Sequence, residues 1–165
     1  MAQRNGKVLP RPAVRPVEST FRELIRTLGL LERVQQAYFA RFGLSGSKWG
    51  VLRNLHRAEQ EGLPGLRLTD LSRRMLIRPP SVTGIADRLE KVGLIVRRAS
   101  ETDGRSKQVA LTEKGRRLVE QVLEVHPARI ARLMGGLSRE EQELLDRLLV
   151  RMGEHLAVLA EGADE

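Results

Sequence analysis

From Glu18 to about Phe42, apolar residues fall at Phe21, Leu24, Leu28, Leu31, Val34 and Tyr38. Steps of three and four place them on one helical face, so the spacing predicts a long amphipathic helix closed by Gly43. A second helix is expected from Ser45 or Ser47 to about Ala58, with Trp49 or Val51, Leu52 and Leu55 inside. Gly62, Pro64 and Gly65 break the pattern as a loop. Leu66 to Leu68 is short enough to pair as a strand, and Thr69 offers an N-cap for a brief helix from Asp70 to Met75.

Pro79-Pro80 favours a new helix start, because a first-turn residue needs no N–H partner within the helix. That helix is expected to run to Val92 and stop at Gly93, with Val82, Ile85, Leu89 and Val92 pointing inward. Two strand-like segments follow, Leu94 to Arg98 and Ser106 to Leu111, joined by the polar turn Ser100-Glu101-Thr102-Asp103-Gly104. Thr112 opens another helix, through Leu118, Val122 and Val125 to about Met134, which Pro127 is expected to kink. Gly135-Gly136 ends it, and Ser138-Arg139-Glu140-Glu141 reads as a capping box. The last helix repeats Leu145, Leu149, Met152, Leu156 and Leu159 at alternating steps of four and three, a seam suited to another helix.

The fold class expected is therefore mainly α with a small β-hairpin wing: a winged helix-turn-helix domain flanked by N- and C-terminal helices. Residues 1–17 form a basic arm without acids, expected to be disordered. Residues 18–44 and 112–162 are helical and flank the winged helix, with Phe21, Leu24, Leu28, Leu145, Leu149, Met152 and Leu156 on their apolar stripes. Residues 45–111 make the winged helix.

Charge sharpens this picture. The chain carries a formal net charge of +8, but unevenly. Between Arg67 and Arg117 there are thirteen basic and six acidic residues; between Ser138 and Glu165 there are three basic and eight acidic. A local positive patch suits a polyanion, although a solvated basic face has the same composition. The helix starting at Pro79 turns small polar groups and one cation outward. Ser81, Gly84 and Arg88 form that stripe, flanked by Thr83 and Asp87, and Arg78 precedes it. Small side chains let a helix settle deep in a B-DNA major groove, where arginine can read a guanine edge or hold a phosphate. Glycine costs a helix interior about 1 kcal/mol relative to alanine, and close approach to DNA, tight packing or plain sequence drift each account for Gly84. On the hairpin, Arg97 and Arg98 sit at the base, and Arg105, Ser106 and Lys107 at or beyond the tip. Asp103 can orient Arg105, and narrow A·T-rich minor grooves attract arginine.

These motifs resemble the MarR family of regulators. The match rests on Ser81-Val82-Thr83, on Asp87-Arg88-Leu89-Glu90-Lys91-Val92-Gly93-Leu94 and on Arg97. It continues through Asp103-Gly104-Arg105-Ser106 and Val109-Ala110-Leu111-Thr112-Glu113-Lys114-Gly115. It is strong from about Leu66 to Leu118 and looser over residues 20–160. The resemblance implies a homodimer built from interlocked N- and C-terminal dimerisation helices, here residues 18–44 and 112–162 with Phe21, Leu24, Leu28, Leu145, Leu149, Met152 and Leu156 as contacts, with each subunit offering one winged helix to a pseudo-palindromic operator on double-stranded DNA. It maps the family's wing arginine to Arg105 and its orienting aspartate to Asp103. It also implies repression relieved by a small anionic or aromatic effector, for which Tyr38, Trp49, Arg53 and His56 are candidate pocket residues. Many members have a larger polar or basic residue at the position of Gly84, so specificity here shifts toward Ser81, Thr83, Arg88 and DNA shape.

Other classes find little support. With no cysteine there is no disulfide, thiolate metal site or thiol redox switch. His56, His126 and His155 are too far apart to form a ligand pair by spacing, so no metal or cofactor is expected. Phosphate-loop, nucleophile-elbow and zinc-protease motifs are missing, and no enzymatic activity is expected. No stretch is apolar enough to span a membrane, and prolines 10, 12 and 16 interrupt the basic N-terminus, so a cytoplasmic protein is expected. The rival reading is a winged helix that serves as a protein-interaction or RNA-binding module. The basic wing favours DNA over it, since residues 66–118 contain no aromatic side chain for base stacking.

Overall fold

A computed structural model describes residues 16–99 and 107–162. Six helices and one hairpin follow in the order α1 (Pro16–Ala40), α2 (Gly46–Gln60), α3 (Leu68–Met75), α4 (Pro79–Lys91), β1 (Ile95–Ala99), β2 (Lys107–Leu111), α5 (Glu113–Met134) and α6 (Arg139–Gly162). The chain divides into two compact units, one ending at Arg116 and the other starting at Arg117.

The first unit is centred on α2, α3, α4 and the hairpin. Val51, Leu52, Leu55, Leu71, Val82, Leu89, Ile95 and Val109 are fully buried there. At about 1.5–3 kcal/mol for each large apolar side chain taken out of water, this cluster is the main force holding the helix-turn-helix to the wing. Ser45 caps α2, its hydroxyl accepting from the Lys48 amide at 3.3 Å. This places the helix start at the earlier of the two serines.

Around α3 the chain departs from expectation. Only Leu66 pairs with the hairpin, exchanging backbone hydrogen bonds with Val109 at 3.0 and 2.8 Å. Leu68 already belongs to α3, and the N-cap is Arg67 rather than Thr69. The Arg67 carbonyl accepts from both Asp70 and Leu71, so helical bonding begins two residues earlier than the side-chain signal. Gly65 permits the close approach: a Cβ there would lie 2.7 Å from the Val109 carbonyl oxygen.

Helix α4 starts at Pro79, as its prolines favour, and ends at Lys91, one residue before Val92. Val92 is the C-cap and is 48% exposed, contrary to the expected inward position. The backbone leaves the helix there, so the inward stripe ends at Leu89. Residues after β2 take over the exposed carbonyls of this terminus. The Lys114 ammonium donates to the Val92 carbonyl at 2.8 Å, and the Thr112 hydroxyl to that of Gly93 at 2.7 Å. A cation at a helix C-terminus also complements its dipole.

Strands β1 and β2 are antiparallel, with Ile95 opposite Leu111 and Ala99 opposite Lys107. The first turn of α5 is fastened to the same unit: Arg116 donates to both oxygens of Glu59 on α2, at 3.2 and 3.0 Å. These bonds, with a smaller contribution from Glu113, hold the Arg116 pKa above its ordinary value against the opposing effect of burial.

In the second unit α5 remains a helix through Pro127. Val119 and Val122 are fully buried. The capping box at α6 forms as the sequence indicates: the Ser138 amide donates to Glu141 at 2.7 Å, and the Glu141 amide to the Ser138 hydroxyl at 3.3 Å. Among the described residues, no helix is long and apolar enough to cross a membrane.

Candidate nucleic-acid interface

Helical periodicity gives α4 two clean faces. Val82, Ile85, Ala86 and Leu89 are buried, while Ser81, Thr83, Asp87 and Arg88 are exposed and Gly84 is half-exposed. Arg78 stands exposed as the N-cap and makes no side-chain cap of its own. The Thr83 hydroxyl donates back to the Pro79 carbonyl at 3.1 Å, so this side chain is held by its own helix. Among the described residues nothing requires glycine at 84. A Cβ there would meet only the Arg88 guanidinium, at an ordinary 3.6 Å. Tight internal packing among the described residues therefore does not account for Gly84.

The turn before α4 has its own unusual residue. Leu76 adopts a left-handed conformation with φ 53° and is 92% exposed. Its amide and that of Ile77 close the end of α3 on the carbonyls of Arg73 and Ser72. Glycine usually fills such a position, and periodicity alone does not mark it.

The basic residues of the hairpin base are not equivalent. Arg98 and Lys107 are exposed. Arg97 is half-buried and engaged inside the protein. Its Nη2 donates to Asp87 at 2.5 Å, and its Nη1 donates to Glu90. The Arg97 backbone amide also donates to Glu90, at 3.2 Å. The Asp87 hydrogen bond is the largest influence on the Arg97 pKa; together with Glu90 it outweighs burial and raises that pKa above the ordinary value. Asp103, Arg105 and Ser106, assigned to the wing on sequence grounds, lie outside the described residues.

The four candidate pocket residues are placed differently from one another. Tyr38 and Trp49 are buried in an aromatic cluster with Phe39, whose ring stacks on Trp49 at 5.6 Å and meets Tyr38 edge-on at 5.0 Å. Arg53 and His56 are half-buried neighbours on α2, 3.4 Å apart. None of the four lines the cavity of about 590 Å³ in this unit. Leu28, Leu31, Glu32, Gln35 and Gln36 of α1 form one wall, and residues 45–47 form the other.

Apolar side chains remain on the surface of the terminal helices. On α1, Phe21, Ile25 and Leu28 are exposed and Leu24 is half-buried; on α6, Leu149, Met152 and Leu156 are exposed and Leu145 is half-buried. Among the described residues, no group of three or more His, Asp or Glu is placed to hold a metal ion.

A short helix, a tight turn, a helix with a small polar outer face and an adjoining hairpin together define a winged helix-turn-helix DNA-binding protein. Comparison with known proteins agrees. A family model described as the MarR family matches residues 42–106. The chain is 31% identical over 128 residues to the transcriptional repressor YetL of Bacillus subtilis, covering 78% of this chain and 75% of that protein. AbsC, a MarR family transcriptional regulator from Streptomyces coelicolor, shares 25% identity at a TM-score of 0.78, covering 89% of this chain and 98% of AbsC. Staphylococcus aureus MepR in its DNA complex shares 25% identity at a TM-score of 0.72, covering 84% of this chain and 98% of MepR. The chain belongs to the MarR family of DNA-binding transcriptional regulators.

Proposed function

We propose that this regulator acts as a homodimer on a pseudo-palindromic operator and represses transcription until a small molecule releases it. The observation that carries the reading is the outer face of α4: small, polar, exposed, and centred on a glycine that the protein's own packing does not demand. Two such helices related by a two-fold axis read two half-sites, which is why a dimeric reader matches a palindromic site. Support for the dimer comes from Phe21, Leu28, Leu149 and Leu156, each about half exposed or more on helices that flank the winged helix in sequence. The similarity to the repressor YetL favours repression.

For the effector, the cavity against α1 is the better candidate than the aromatic cluster, because Tyr38 and Trp49 are already packed in the core. Its lining holds one carboxylate and no basic side chain, which favours a neutral aromatic ligand over an anion.

The test is selection from a random-sequence duplex pool with the full chain, followed by footprinting and sedimentation. The expected product is an inverted repeat whose half-sites lie about one helical turn apart, bound by one dimer. The folded variant carrying Leu149→Glu and Leu156→Glu is expected to sediment as a monomer and release the duplex. Selection of a site without two-fold symmetry, or an intact dimer in that variant, contradicts the reading.

A further inference from the structure

Arg97 stands where a wing cation would be expected to reach for DNA, yet both of its terminal nitrogens, Nη1 and Nη2, donate to carboxylates of α4. Asp87 and Glu90 lie three residues apart, neighbours on one face of that helix. One guanidinium spans them, and Glu90 additionally holds the Arg97 backbone amide. The strand is thus gripped through its main chain and its side chain at once. A planar fork bound to two fixed carboxylates has little freedom left, unlike an arginine held at one end by solvent. The cluster also carries one positive and two negative charges, with Asp87 58% exposed beside the outer face of α4. Net negative charge beside a surface that meets phosphates works against binding, so its benefit must lie elsewhere.

We propose that Arg97 is a positioning residue: through Asp87 and Glu90 it locks the base of the wing to the recognition helix, so that both reach DNA as one rigid piece, and it does not itself contact DNA. This rests on the DNA-binding reading of α4 and the hairpin.

The chain has no cysteine, so Lys107→Cys gives a unique site for a nitroxide label on β2. Electron spin resonance of the labelled full chain, without DNA, reports how firmly the wing is held. The label is expected to gain mobility in Arg97→Gln and equally in Asp87→Asn/Glu90→Gln, with no further gain when all three changes are combined. Should Arg97→Gln fail to fold, the carboxylate pair carries the same test. Unlabelled proteins are then titrated against the duplex that the unmodified chain selects. Both variants are expected to bind roughly tenfold more weakly, the scale of lost preorganisation, with an unchanged salt slope. The carboxylate pair discriminates most sharply, because removing two negative charges should tighten binding if Arg97 were a DNA contact. Tighter binding by that pair, together with a salt slope shallower by about 0.9 in Arg97→Gln, would mark a phosphate contact and overturn the proposal. An equally immobile label in every variant would overturn it as well. If the unmodified chain selects no duplex, the DNA-binding reading fails, while the label still decides whether the clamp exists.

Discussion

Gly115 and Leu94 meet backbone to backbone: a Cβ built on Gly115 would lie 2.0 Å from the Leu94 carbonyl oxygen. That carbonyl already accepts from the Thr112 amide at 3.1 Å, so it is not free to move aside. The start of α5 is seated on the hairpin by this contact. Gly115→Ala should therefore destabilise the fold by about 3 kcal/mol, at the upper end of overpacking costs. Urea denaturation of the variant against the unmodified chain measures it; a loss near zero would mean that α5 can shift without consequence.

Leu76 makes the opposite case. Its left-handed backbone is strained for a side chain with a Cβ, and its 92% exposure means that little packing is lost on removal. Leu76→Gly is expected to stabilise the protein by about 1 kcal/mol, after the extra entropy of glycine in the unfolded chain is counted. A higher urea midpoint at unchanged slope is the expected reading, and a lower midpoint would show that the leucine has a packing role.

On α4, Gly84 and Arg88 separate stability from binding. Gly84→Ala should stabilise the helix by up to about 1 kcal/mol, since the new methyl group meets only an ordinary contact. The same variant should bind its selected duplex more weakly if the helix approaches the groove floor there. Arg88→Ala should leave stability nearly unchanged, and weaken binding by about 1–3 kcal/mol, on the scale of one base or phosphate contact. Paired denaturation and anisotropy measurements check both; a Gly84→Ala protein that binds as before would remove close approach as the reason for the glycine.

The start of α6 is expected to respond to pH. The Glu140 amide and the Ser138 hydroxyl, which donates to this carboxylate at 3.0 Å, hold its pKa below the ordinary value. A depressed folded-state pKa contributes stability that is present above the ordinary carboxylate value and is lost as pH falls through the lower one. Ser138→Ala removes both the cap and this bond, and caps of this kind are worth about 1 kcal/mol at neutral pH. Hydrogen exchange at the first turn of α6 should quicken in the variant, and the difference from the unmodified chain should shrink in acid. A difference independent of pH would assign the effect to the cap alone.

Where the chain follows one periodic element, burial was legible in advance. The inward stripe of α4 appears as written through Val82, Ile85 and Leu89, because three- and four-residue steps dictate one face. It fails at Val92, where the backbone leaves the helix and the same spacing no longer describes a face. The N-cap of α3 differs from the side-chain signal for a related reason. Thr69 carries the side chain suited to capping, but the bridge between Leu66 and Val109 turns the chain earlier, at Arg67. Arg97 marks a different limit. Its partners are seven and ten residues away on another element, so charge counting treats as available a cation that the fold has already used.

The most direct test of the central claim is fluorescence anisotropy of the full chain on the selected duplex and on a scrambled duplex, over a salt series. Phosphate neutralisation should make log K fall against log salt by about 0.9 for each contact, with the selected duplex bound at least a thousandfold more tightly at physiological salt, as specific regulators are by roughly that margin. Equal affinity for the two duplexes across the series would contradict sequence-specific regulation and leave the winged helix serving a partner other than an operator.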